Sequence, residues 1–405
     1  MSGSEMMAIA AVLLGGLGVL PGTLGVLMFT HKIAASATGA RFIYGQALWV
    51  VVLSVGLMAA AIYQALPITT IPWVLTGAVL AYGGIMVFGF LMHTSRNFRP
   101  IRQPTFVSMG EALAKFGPGE EVVGVIDGNG RPFAFITKLA RRPHIVYQAE
   151  GDAPFIMTHC ILAHSSMSYA MEGKFANPDI SVTAVLANNM VFYEKSNNCS
   201  VIQLHNQATE GGLPLKTVPT VSCSLGTWQA LYPESKVWLR DIEWRDIFYL
   251  KLLARADVID PKSPVKVYSL NHDDDNRLPM KSTVIGVKID GESRTYPTPL
   301  FKDRQLVEDQ VGGVDLLIAA ARDADFVQVY DRQLDDGATL TFKPSQTADQ
   351  FVDNETGSEW APTGDCVAGV HKGKRLQPIP HYNKMFWYVW SDFHPGSEIH
   401  GAPAD

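Results

Sequence analysis

Two imidazoles and a thiol fall within six residues in the stretch THCILAH, as His159, Cys160 and His164. Thiolate and imidazole suit copper or zinc better than magnesium or calcium. If Phe155–Cys160 is a strand, successive side chains leave opposite faces, so His159 and Cys160 share one ion only where the strand ends. His164 then swings back from the following turn, and His205 in LHNQ completes a four-ligand set. The alternative is structural: Cys160 is a small buried residue, and the histidines cap polar strand ends.

Other chemistries find less support. Ser165 and Ser166 follow His164, but there is no Gly-x-Ser-x-Gly elbow and no acid evidently paired with a histidine. Gly211-Gly212 and Gly312-Gly313 are isolated turn glycines, outside any phosphate-binding or dinucleotide fingerprint. NHDDDNRLP at 271–279 lacks the glycine and distal glutamate of a calcium loop and is expected to be a solvated linker. Cys160, Cys199, Cys223 and Cys366 are not spaced as a zinc framework, and a chain this long needs no disulfides.

The elements that carry these residues occur twice. VVGV at 122–125 returns as VIGV at 284–287, Arg131 as Arg294 and Tyr169 as Tyr330. LKTVP at 215–219 returns as LQPIP at 376–380, and WQALYP at 228–233 as WSDFHP at 390–395, all at separations of 161 to 163 residues. So steady a separation indicates two copies of one unit packed about a pseudo-two-fold axis. In the second copy the stretch matching THCILAH, IAAARDADF, has neither His nor Cys, so any metal site is single. His394 matches Tyr232, an exchange that suits a packed, hydrogen-bonding aromatic position better than a catalytic one.

Short β-branched and aromatic runs bounded by turn residues, with turns at 127–130 (DGNG) and 335–337 (DDG), predict short strands in both copies. GTWQALYP and MFWYVWSDFHP predict a closing helix for each, and 238–256 reads as a further helix, packed on both copies or lying in a membrane plane.

Before residue 95 the composition changes. Segments 8–29, 42–66 and 72–92 contain no Asp, Glu, Lys or Arg, and each is long enough to cross a hydrocarbon core of about 30 Å as a helix. Only Gln46 and Gln64 bring side-chain amides, too little for an ion pathway, so the bundle reads as an anchor. Small-residue faces at Gly18/Gly22 and Gly77/Ala81 permit close helix contacts, within the bundle or with another subunit. Lys32, Arg41, Arg96, Arg99 and Arg102 all flank one side, which places the N-terminus outside and the soluble part in the cytoplasm. A net charge of −6 argues against nucleic acid as a partner.

The expected architecture is thus an α-helical three-span membrane anchor (1–95) and a juxtamembrane linker (96–121), followed by a β-rich α+β soluble region of two tandem pseudo-symmetric repeats. Those repeats are 122–238 and 284–405, joined by a helix and linker at 239–283.

PTFVSMGEAL at 104–113, EEVVGVIDGNGRPFAF, TVIGVKIDGESRTYP with EDQVGG, and above all LQPIPHYNKMFWYVWSDFHPGSEIH resemble the bacterial and archaeal DUF3179 family, a domain of unknown function. The resemblance covers everything after the anchor. It implies a fold and a lineage but no activity, substrate or cofactor. Many relatives carry a Tyr-Cys-Pro-x-Cys signature here; this chain keeps the first cysteine as Cys160 and has Ala163 at the second position. Many also look exported, which makes a periplasmic or extracytoplasmic soluble domain the alternative to the cytoplasmic one. The function expected is a membrane-anchored accessory or scaffold subunit, more a binding module than an enzyme. It would dock other membrane subunits or a second copy at the bilayer surface. The alternative is a copper- or zinc-binding or redox protein centred on His159, Cys160, His164 and His205.

Overall fold

The computed structural model describes residues 2–23, 36–45, 47–65, 77, 80–87, 97–209, 213–252 and 256–401. The chain divides into two compact units, residues 1–100 with 177–215, and residues 101–176 with 216–405.

In the first unit, helices span Gly3–Thr23, Ala37–Gly45 and Ala47–Ala65. Among the described residues one helix, Leu48–Ala65, is long and apolar enough to cross a membrane, with mean hydropathy 1.9 and only 17% of it buried. Of the three expected spans, one is therefore seen among the described residues. The helix covering most of 8–29 has a shorter apolar stretch, Gly3–Leu17, while most of 72–92, Gln46 and the side-chain surroundings of Gly18 and Gly22 lie outside the described residues. The helices meet through polar groups: the Ser54 hydroxyl donates to the Ala11 carbonyl at 2.7 Å, and the Tyr82 hydroxyl donates to the same carbonyl at 2.8 Å. Such bonds hold helices together where apolar burial discriminates poorly.

The strands are numbered along the whole chain. The second unit begins with β1 (Thr105–Val107), the hairpin β2 (Glu121–Ile126) and β3 (Pro132–Ile136), and then β4 (Ile145–Gln148), β5 (Phe155–Cys160) and β6 (Ser165–Ala170). The chain next leaves for the first unit, where β7 (Ile180–Leu186), β8 (Asn189–Glu194), β9 (Cys199–Ile202) and β10 (Gln207–Ala208) form an antiparallel meander. It returns as β11 (Thr217–Val218), β12 (Thr220–Ser224), the helix Leu225–Leu231 and β13 (Lys236–Leu239). β14 (Thr283–Ile289) and β15 (Glu292–Pro297) make the next hairpin, followed by β16 (Leu306–Val311), β17 (Val314–Ala321) and β18 (Phe326–Asp331). A second meander of β19 (Phe342–Pro344), β20 (Phe351–Asp353), β21 (Glu359–Trp360) and β22 (Cys366–Ala368) leads to β23 (Tyr382–Phe386), the helix Trp387–Phe393 and β24 (Glu398–Ile399).

Two sheets have matching orders. β13-β3-β2-β12, extended at its edge by β1, corresponds to β24-β15-β14-β23. In each, the hairpin pairs antiparallel with the strand before the helix and parallel with the strand after it. β4-β5-β6 and β16-β17-β18 are both antiparallel in chain order. The alternation of a strand explains the layering: Leu316, Ile318 and Ala320 of β17 join the core under β14 and β15, while Leu317 and Ala319 join Trp360, Phe351 and Leu376 on the other side.

Local chemistry sets the boundaries. Ser108 and Glu111 form a capping box at the start of the helix Met109–Phe116, which ends at Gly117, whose positive φ of 80° suits glycine. The buried Asp127 carboxylate accepts from the Asn129 and Arg131 amides and from the Arg131 guanidinium, fixing the predicted turn. The helix expected over 238–256 starts later, at Trp244, because Trp238 and Leu239 complete β13 against β3 and β1. The stretch 271–279 is also more than a solvated linker: Asp392 accepts from Asn271 Nδ2 and from the His272 amide, and the Asp275 carbonyl accepts from the Trp387 indole.

Candidate functional site

β5 and β6 are joined by a four-residue turn that ends at His164, whose φ of 50° is left-handed. That backbone aims its ring at β23, where it stacks on Phe386 with centroids 5.3 Å apart. His164 Nδ1 lies 3.0 Å from the Lys384 carbonyl, which can only accept, so Nδ1 carries a proton. Nε2 lies 3.3 Å from Glu121 Oε1 at the head of β2. A bare Nε2 facing a carboxylate would repel it, so this contact also holds a proton, as an imidazolium–carboxylate pair. Burial alone would raise the Glu121 carboxyl, but the charge and hydrogen bond of His164, with His159 and Lys384 beyond, hold it down at about 2. Burial works against the charged His164, and Glu121 outweighs it, raising the imidazole above its ordinary value.

His159 sits beside this pair with the opposite character. Its ring lies 6.2 Å from that of His164, edge to face, and its Nδ1 is 3.0 Å from the Ser166 hydroxyl. Burial pushes its imidazole well down, reinforced by the positive His164. His144 Nδ1 donates to the His159 carbonyl at 2.9 Å, and burial lowers this third imidazole to about 4. One charged histidine therefore stands next to two neutral ones.

The network continues across the second unit. Lys384 Nζ donates to the carbonyl of Asp325 at 2.6 Å and to its carboxylate at 3.1 Å, and that carboxylate accepts from the Ser224 amide at 2.9 Å. Burial opposes ionisation of Asp325, yet the Ser224 hydrogen bond and the Lys384 charge hold it at about 2. Asn383 Oδ1 accepts from the Ser222 amide, while its Nδ2 donates to the Val327 carbonyl and to His381 Nε2. His381 Nδ1 donates to the Ile379 carbonyl, and burial lowers the ring to about 4. β23 is thereby fastened to β12, to β18 and to the turn before His164, where the Phe386 amide donates to the Ala163 carbonyl.

The four nominated residues are thus only partly assembled. His159 and His164 meet, and Cys160 leaves β5 on the other face, where it is buried. His205 is exposed on the turn Gln203–His205 and belongs to the first unit. Among the described residues no three His, Cys, Asp or Glu side chains are grouped to hold a metal ion, and all four cysteines are buried. Burial also raises the Cys223 thiol, which keeps it protonated at neutral pH. A cleft of about 510 Å³ lies elsewhere, lined among others by Arg131, Gln148, Glu150, Glu234 and Lys236.

Glu121, His144, Asp325, His381, Asn383 and Lys384 were not legible as partners from residue type and spacing. One signal was available: at the repeat separation, Asp325 occupies the position of His164. Each of the two turns reaches a strand that precedes a helix, Ala163 and His164 meeting β23 and Asp325 meeting the end of β12.

No curated protein and no solved structure matches the chain. The family described as "Protein of unknown function (DUF3179)" matches residues 97–397, a stretch that takes in every member of the network from Glu121 to Lys384. The chain belongs to the DUF3179 family.

Proposed function

We propose that this chain is a membrane-anchored accessory subunit, a duplicated β-rich module that presents a docking surface at the bilayer. One observation carries the reading: a helix of bilayer-spanning length leaves most of its apolar surface uncovered, while the polar cluster around His164 is consumed in internal pairing. A side chain such as Trp49 or Leu53, exposed on an otherwise apolar helix, is stable in lipid and costly in water. The partners this supports are the bilayer and other membrane subunits or a second copy, with three spans and a cytoplasmic domain as the fuller form.

The duplication belongs to the same proposal. Supporting it are the matching strand orders, a meander inserted after the fifth strand of each copy (β6 and β18), and the reciprocal seam in which each copy's turn binds the other's strand end. Reciprocity of that kind is what a two-fold relation produces.

Fractionation tests the anchor: the chain should stay in the membrane pellet after alkaline carbonate extraction, and release into the supernatant would overturn it. C-terminal reporter fusions test the side, since activity of an exported reporter would replace the cytoplasmic placement by the periplasmic one. The metal reading keeps one favourable observation. His159 and His164 lie inside the roughly 8 Å within which two nitrogens, each about 2 Å from one ion, must fall once their rings are counted. Such an ion would sit between these two rings and Glu121, without Cys160.

A further inference from the structure

The helix Trp244–Leu252 has two unlike faces. Asp246 is turned inward, where its carboxylate accepts from the Arg142 guanidinium at 2.6 Å and from that of Arg240 at 2.7 Å. On the opposite stripe, at spacings of three and four residues, stand Trp244, Ile247, Phe248 and Lys251. Trp244 is 65% exposed, Ile247 50% and Phe248 38%, and Ile242 just before the helix is 57% exposed. Arg245 lies over the Trp244 ring, 5.3 Å from its centroid.

The position of this helix names its occupant. The polypeptide enters the second unit at Ile101, whose amide donates to the Ile145 carbonyl and whose carbonyl accepts from the Tyr147 amide. Arg142, three residues before Ile145, is the residue that grips Asp246 and Glu243. The inward face of the helix is therefore bound by Arg142, three residues ahead of the strand that pairs with Ile101, the residue at which the polypeptide enters the second unit. Its makeup, two aromatic and two aliphatic side chains with Arg245 and Lys251 at the margin and the buried acid neutralised behind, is that of a helix lying in the headgroup region.

We infer that the segment from Ile242 to Lys251 lies in the bilayer interface and presses its apolar stripe between phospholipid headgroups, holding the domain against the membrane. The inference rests on the membrane-anchored reading and deepens it by assigning a second, in-plane contact.

The full chain, reconstituted in phosphatidylcholine vesicles, tests it. The native cysteines are all buried, so Ile247→Cys can carry a polarity-sensitive fluorophore selectively. Two further variants serve as references, Val52→Cys on the apolar helix and Lys372→Cys on an exposed loop. The expected result is a blue shift of the label at 247 on reconstitution, loss of its emission with lipids brominated near the headgroup, and protection from aqueous iodide. The label at 372 should show the reverse. Iodide quenching at 247, with bromolipid quenching retained at 52, would overturn the in-plane contact and leave the anchor standing. Protection at 247 from both quenchers would also overturn it, assigning the stripe to a protein surface such as a second copy. Loss of lipid quenching at 52 as well would remove the anchored reading and this inference together.

Discussion

The indole of Trp228 lies directly over Gly124, so close that a Cβ on the glycine would stand 2.2 Å from ring atom Cζ3. Trp390 covers Gly286 in the same way, with a Cβ there at 2.6 Å from the ring. Each indole N–H is also held by a serine seven residues on, Ser235 at 2.8 Å and Ser397 at 3.1 Å. The glycine of each VxGV motif is thus a packing requirement, because the helix can close on the sheet only where no side chain intervenes.

Gly124→Ala and Gly286→Ala are accordingly expected to destabilise the domain by similar amounts, about 1 to 3 kcal/mol each, the usual cost of forcing a methyl into a filled core. Denaturant midpoints of the detergent-purified chain measure this. An unchanged midpoint for one variant with a large loss for the other would break the equivalence of the Trp228–Gly124 and Trp390–Gly286 contacts.

Asn383 gives a second test, because it satisfies backbone groups from both halves: it accepts from the Ser222 amide and donates to the Val327 carbonyl. Asn383→Ala leaves both buried groups without their partner, at a cost of roughly 1 to 3 kcal/mol. Asn383→Asp keeps the acceptor for Ser222 and loses the donor. The alanine variant should unfold earlier in urea with an unchanged slope, and a midpoint equal to wild type would remove Asn383 from the seam.

The fold was more legible than the site, for a physical reason. Strand runs, turn glycines and the repeated landmarks are local or periodic signals, and they predicted the DGNG turn, the closing helices and the β-rich character. The partners of His164 depend instead on which strand ends meet after folding. Glu121 lies 43 residues away in sequence and Lys384 lies 220 away, with nothing local to mark either. The boundary at Trp244 failed similarly, since pairing of Trp238 with Phe106 and Phe135 overrode a helical period. Cys160 behaved as the strand's alternation requires, facing away from His159.

The charged pair predicts a pH profile. Glu121 is held at about 2, below its ordinary 4.5, so its contribution is present above 4.5 and is lost as pH falls toward 2. His164 is raised above 6.5, so its contribution is full below 6.5 and disappears as pH rises through its folded value. The buried neutral His144 and His381, both lowered from 6.5 to about 4, withdraw stability as pH falls between those values. Stability should therefore peak near pH 6.5. Glu121→Gln removes the carboxylate that sustains the imidazolium and should flatten the decline on the alkaline side. Urea midpoints across a pH series would show this, and an alkaline slope unaltered by the substitution would rule out the pair as its source.

Metal content decides between the two uses of the same cluster. If the network is mortar between the copies, the purified chain should carry copper or zinc far below one ion per molecule. His164→Ala should then cost stability, because it strips Glu121 and the Lys384 carbonyl of their partner at once. Removing one member of a partly buried ion pair leaves the other charge poorly solvated, so the loss should exceed that of an exposed pair, which is worth at most about 1 kcal/mol. His159→Ala breaks the contact with Ser166 and the edge-to-face packing on His164 and opens a cavity, without stripping a charge of its partner, and the smaller loss is expected there. The opposite pattern is one ion per chain, abolished by either substitution with the fold retained, unaffected by His394→Ala and weakened in acid as imidazole ligands are protonated. That outcome would move His159 and His164 from the seam's structure to its chemistry, with Glu121, the carboxylate paired with His164, as a third ligand.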